Sequence, residues 1–106
     1  MYTFPELIKL IRKEAGLSQP DFAEKIGVSS ALIAMIETGQ KEVSKNFIVK
    51  LAEALNVHPT SITPFLFYDG TDLTKLSGIE KKIIEQGIKL QVMLIQKRSQ
   101  LLKNAD

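Results

Sequence analysis

Acid–base and nucleophilic chemistry have little to work with in this sequence. It has no cysteine, hence no thiolate nucleophile, no disulfide framework and no thiolate zinc site, and its one histidine, His58, stands alone before Pro59. With no glycine-rich phosphate loop and no carboxylate pair at a catalytic spacing, neither an enzyme nor a bound metal or cofactor is expected. What the chain offers instead is a group of hydrogen-bonding and cationic side chains. Gln19, Ser29, Ser30, Gln40, Lys41 and Lys45 lie in or just after SQPDFAEKIGVSSALIAMIETGQ, residues 18–40. An amide such as that of Gln19, at the start of a helix, can reach a phosphate beside backbone N–H groups that favour an anion. The puzzle lies in the middle of the stretch: Ser30 to Thr38 contains no Arg, Lys, Gln or Asn.

The elements that must position these residues are helical. Pro5 suits an opening turn, Leu7, Ile8, Ile11 and Ala15 recur at helical spacing, and Gly16 stops the helix over 5–16. Ser18 is a good N-cap for a short helix from Gln19 to Ile26, and Asp21 favours its dipole. Gly27 permits the left-handed backbone that a sharp turn needs. Ser29 then caps a helix from Ser30 to Glu37 that ends at Thr38-Gly39. Ser44 begins a fourth, with Phe47, Ile48, Leu51, Ala52 and Leu55 on one face, and a short fifth turn or helix runs from Pro59 to about Phe65. His58 reads as a surface or capping residue. No strand-like alternation of useful length precedes residue 64. Five short helices with brief connections make a compact all-α domain.

This domain is expected over 1–66. A linker rich in Gly, Asp and Thr follows over 67–78, and a helical arm over 79–106. Phe65, Phe67 and Tyr68 are expected to anchor the end of the domain against the arm. Residues 1–63 carry seven Lys/Arg and seven Asp/Glu, and residues 64–106 carry seven and five, so neither part is a basic polyelectrolyte. Any anionic partner must be met by a local basic face. The longest apolar run in the arm is Val92-Met93-Leu94-Ile95, far too short to span a membrane. MYTFPEL has no basic region followed by an apolar stretch, so no secretion signal is expected and a cytoplasmic location is.

Two helices joined by about three residues cross closely only if particular positions agree. Ala23 is small, Gly27 takes the turn, and Phe22, Ile26, Val28, Ile33 and Ile36 supply the locking apolar face. On these residues, with GLSQ, IETG and the flanking LIKLIRKEAG and FIVKLAEALNV, the sequence resembles the Cro/repressor-type (XRE-like) helix-turn-helix family over about half its length. The resemblance implies a five-helix domain whose third helix enters the major groove of double-stranded DNA, usually as a two-fold dimer on a palindromic site. It implies that Ser29, Ser30, Ala31 and Met35 face the bases, with Leu32 and Ala34 close by. Gln40, Lys41 and Lys45 would follow the DNA backbone, with Lys9 and Lys25 flanking. It also implies an ion pair between Arg12 and Glu37 that clamps the first helix to the end of the third. A base-facing set of Ser, Ala and Met cannot make the bidentate contacts of Arg or Gln; its natural target is the thymine methyl, supplemented by DNA shape. The same apolar helix could instead bury Leu32 and Met35 against a protein.

In the arm, Ile88, the pair Leu94-Ile95 and the pair Leu101-Leu102 recur every seven residues, Ile84 joins their stripe, and Gln91 and Arg98 interrupt it. Gly87 costs about 1 kcal/mol in a helix interior relative to Ala, so this is no clean leucine zipper. The arm could fold back on its own domain or hold another protein. The expectation is a homodimer formed through Ile84, Ile88, Leu94, Ile95, Leu101 and Leu102. The function expected is that of a transcriptional regulator, most simply a repressor, with an antitoxin or adaptor as the alternative.

Overall fold

The computed structural model describes residues 3–65 and 77–104. These are helical, with no strand among them: α1 (Phe4–Ala15), α2 (Gln19–Ile26), α3 (Ser30–Glu37), α4 (Lys45–Leu55), a 3-10 turn (Pro59–Ser61) and α5 (Gly78–Asn104).

Each boundary has a local cause. Thr3, Ser18, Ser29 and Ser44 cap the first four helices, each accepting the N–H three residues on. Gly16 and Gly27 end α1 and α2 in the left-handed conformation (φ 68° and 86°), and Asn56 ends α4 the same way. His58 caps the 3-10 turn, its Nδ1 accepting from the Thr60 N–H at 3.2 Å. α5 opens on a side-chain cap, and its first residues, Ser77 and Gly78, fall within the span expected for the linker. Ser77 Oγ accepts the Glu80 N–H at 3.2 Å and donates to Glu80 Oε1 at 3.1 Å, and the helix starts at Gly78. The rest of the expected linker, with Phe67 and Tyr68, lies outside the described residues, whereas Phe65 is fully buried.

One apolar core joins all five helices. Leu7, Ile8 and Ile11 of α1, Phe22 of α2, Ile33 and Ile36 of α3, Leu51 and Leu55 of α4, Ile62 and Phe65 belong to it together with Ile88, Val92, Ile95 and Leu102 of α5. α5 lies against α1 and α4. Its four buried apolar side chains are worth about 1.5–3 kcal/mol each, and their sum is of the order of a whole domain's stability. α5 is therefore part of the fold.

This corrects the expected dimer stripe. Ile88, Ile95 and Leu102 are buried in the protomer's own core, so these three are not offered to a second chain, and Ile84 packs half-buried against that core. Leu94 and Leu101 are exposed. The physical reason is that α5 carries apolar residues on two sides. The row at 88, 92, 95, 99 and 102, with Ser99 hydrogen-bonded back to the Ile95 carbonyl at 2.6 Å, fits the surface that α1 and α4 present.

Candidate nucleic-acid interface

α2, the turn Gly27–Ser29 and α3 pack as one unit. Ala23, Phe22 and Ile26 on α2 and Ile33 and Ile36 on α3 are buried, and Val28 packs half-buried between them. The Val28 N–H reaches back to the Ala23 carbonyl at 3.0 Å, closing the turn that Gly27 makes possible. Lys50 of α4 donates from Nζ to the Gly27 carbonyl at 3.3 Å, a buttress on this turn that sequence reasoning missed. Nothing in the sequence around Lys50 marks it, because the bond depends on how α4 packs beside the turn.

Arg12 and Glu37 join α1 to the end of α3. Arg12 Nε donates to Glu37 Oε2 at 2.9 Å and Nη2 to Oε1 at 3.0 Å, while Nη1 donates to the Leu17 carbonyl at 3.2 Å. The fork is bidentate, the geometry that makes guanidinium–carboxylate pairs strong. The Glu37 side chain is only 3% exposed and that of Arg12 28%, so the carboxylate is the buried partner. The hydrogen bonds that Arg12 donates to Glu37 raise its pKa, more than burial lowers it. Gln19 adds a third donor, Nε2 to Glu37 Oε1 at 3.4 Å.

That bond changes the reading of Gln19. One of its amide N–H groups is turned inward to Glu37, and only the other is left for a phosphate. The first turn of α2 is also poorer in donors than its position suggests: Pro20 has no N–H, and that of Asp21 is taken by Ser18 Oγ at 3.2 Å.

The outer side of the unit is where the expected contact residues fall. Ser29, Ser30 and Ala31 are exposed and Met35 is half-buried. Ser29 Oγ accepts the Leu32 N–H at 3.1 Å, so it caps α3 while its hydroxyl hydrogen stays free to donate. Leu32 packs against the core and is only half-exposed. Glu37, the one charged residue of α3, is turned inward, so the outward surface of this helix is neutral. The C-terminal end of α3 is closed locally: Thr38 Oγ1 donates to the Ala34 carbonyl at 3.1 Å, and the Gln40 N–H to the Met35 carbonyl at 2.9 Å. Gln40, Lys41 and Lys45 follow, all exposed, as are Lys9 and Lys25. The arrangement presents a small, uncharged helix start, with exposed cations in the segments before and after α3. It can approach a polyanion closely and make single hydrogen bonds and apolar contacts, but no bidentate base contact. Among the described residues there is no cluster that could hold a metal ion, and no helix is long and apolar enough to cross a membrane.

A helix-turn-helix family model of the XRE type matches residues 8–62, just over half of the chain. No curated protein and no solved structure matches the chain. The matched span begins inside α1 and takes in α2 to α4 and the 3-10 turn. The chain belongs to the XRE-type helix-turn-helix family, a family of DNA-binding transcription regulators.

Proposed function

We propose that this helix-turn-helix protein is a cytoplasmic, sequence-specific transcriptional regulator that binds a two-fold-symmetric operator as a homodimer and represses by occluding the promoter. The observation that carries the reading is the exposed, uncharged start of α3, on a helix whose far end is tied to α1 by the Arg12–Glu37 fork. In this reading α3 lies in the major groove. Ser29 and Ser30 supply single hydrogen bonds, and Ala31 and Met35 supply apolar contact to thymine methyls. Gln40, Lys41 and Lys45, with the remaining N–H of Gln19, hold the phosphates and give most of the affinity. Specificity is then modest and leans on methyl contacts and DNA shape.

Replacing thymine by uracil removes only the methyl group. On a duplex enriched by selection with the full-length protein, each contacted thymine should lose about 0.8 kcal/mol, the worth of one buried methylene-sized group. That is about a fourfold drop in affinity in a fluorescence-anisotropy titration. Uracil substitution without effect at every thymine would remove methyl readout. A second reading, an antitoxin or adaptor that holds a different protein, draws support from the exposed apolar residues of α5.

A further inference from the structure

The side of α5 turned away from the core carries large apolar residues in the open: Ile79, Ile83, Leu90, Met93, Leu94 and Leu101, between 38% and 74% exposed. Together they present on the order of 600 Å² of apolar surface, at the top of what a soluble monomer ordinarily leaves wet. Their arrangement is regular. Residues 80, 83, 87, 90, 94, 97 and 101 alternate in steps of three and four, the spacing of a helix-pairing seam, and all seven are exposed. Three of the seven are not apolar side chains: Glu80, Gly87 and Lys97. A Cβ added at Gly87 would meet nothing within 4 Å in the protomer, so nothing inside the chain calls for glycine there.

We infer that this face pairs with the same face of a second copy, the two α5 helices running antiparallel about a two-fold axis level with Ile88 and Lys89. The inference rests on the homodimeric reading above and names its surface. Residues placed symmetrically about that level then face each other. Glu80 meets Lys97 of the second copy, Ile83 meets Leu94, and Gly87 meets Leu90, each pair occurring twice. The two charges that interrupt the seam are of opposite sign and fall opposite each other, and the missing side chain falls opposite a leucine that can fill its space. Glu80 keeps one carboxylate oxygen for this, since its capping bond to Ser77 uses Oε1. The positions beside the seam add no like-charge conflict: Ile79, Gln86, Met93 and Gln100 on one side, Ile84, Gln91 and Arg98 on the other. A parallel pair would instead set Glu80 on Glu80, Lys97 on Lys97 and Gly87 on Gly87, two repulsions and a void. With at most about 600 Å² from each copy, the contact falls at or just below the lower end of the range for a specific dimer.

Sedimentation equilibrium of the full-length protein without DNA tests this. The wild type should be a dimer. Leu90→Glu, at a residue exposed in the protomer and therefore folded by circular dichroism, should weaken the dimer at least a hundredfold. Glu80→Lys and Lys97→Glu should each weaken it, and the double reversal should restore it. Because the chain has no cysteine, orientation can be read directly: a chain with Ile83→Cys should cross-link on oxidation to one with Leu94→Cys, and neither to itself. A dimer untouched by Leu90→Glu would overturn this surface while leaving a homodimer in place. A monomeric wild type would overturn both, and self-linking of each single-cysteine chain would overturn the antiparallel arrangement. DNA selection that fails while the dimer persists would count against the DNA reading alone.

Discussion

Removing the guanidinium at Arg12 should cost much more than neutralising its partner. Arg12→Met keeps the aliphatic stem but leaves the Glu37 carboxylate, 3% exposed, with one long hydrogen bond from Gln19 at 3.4 Å. Breaking a buried pair in this way ordinarily costs about 3–5 kcal/mol, the penalty of an uncompensated buried charge. The Arg12 side is 28% exposed, so water can enter where the guanidinium stood, and a loss of about 2–3 kcal/mol is the discounted expectation. Glu37→Gln leaves the opposite orphan, a guanidinium that reaches solvent and keeps its bond to the Leu17 carbonyl. Its cost should be about 1 kcal/mol. Urea unfolding at neutral pH measures both as shifts in midpoint with an unchanged slope. Arg12→Met combined with Glu37→Leu should recover much of the loss of Arg12→Met alone, since a pair replaced by apolar groups is often nearly neutral. Because Glu37 raises the Arg12 pKa, the contribution of the guanidinium is fully present below its ordinary range. It is lost only as pH rises through the raised value, so the coupling should not change between neutral pH and about pH 10. Arg12→Met costing under about 0.5 kcal/mol, or less than Glu37→Gln, would refute the account of a buried carboxylate held by its fork.

Three further predictions concern other parts of the molecule. Lys41→Glu with Lys45→Glu should weaken DNA binding for all sequences alike and lower the salt slope by about 2, close to one for each phosphate no longer neutralised; anisotropy titrations over a salt series would show this, and an unchanged slope would remove both from the interface. Ala31→Asp should abolish binding to a selected duplex while leaving the urea midpoint in place, because Ala31 is exposed and the added charge would meet the groove; wild-type affinity would mean that Ala31 does not face DNA. Gly87→Ala, made in the Leu90→Glu background to keep the chain monomeric, should stabilise the protomer by about 1 kcal/mol in urea, since the new methyl meets nothing; a loss of stability would show an unseen constraint at Gly87.

The helix ends were legible in the sequence because they are set within four or five residues. Ser18, Ser29 and Ser44 cap, and Gly16 and Gly27 stop, with no help from the rest of the chain. The α2–α3 crossing was legible for a related reason: Phe22, Ala23, Ile26, Ile33 and Ile36 are near in sequence and serve one contact. Gln19 was only half legible. Its place at a helix start suggested a phosphate, but Glu37, eighteen residues away, turns its amide inward. The faces of α5 were not separable at all. Ile88 and Leu94 both sit in a seven-residue rhythm, yet one is buried and the other exposed. Periodicity reports that a helix has apolar rows; which row is buried depends on the surface that α1 and α4 present. The Lys50 bond to the Gly27 carbonyl belongs to the same class of tertiary fact.

The central claim is that α3 reads DNA sequence with small and apolar side chains on a two-fold site. Selecting bound fragments from a random duplex library with the full-length protein, at two salt concentrations, tests it most directly. The expected result is an enriched two-fold-symmetric motif, T-rich at the contacted steps, that persists at the higher salt. Binding without enrichment, declining uniformly as salt rises, would contradict it.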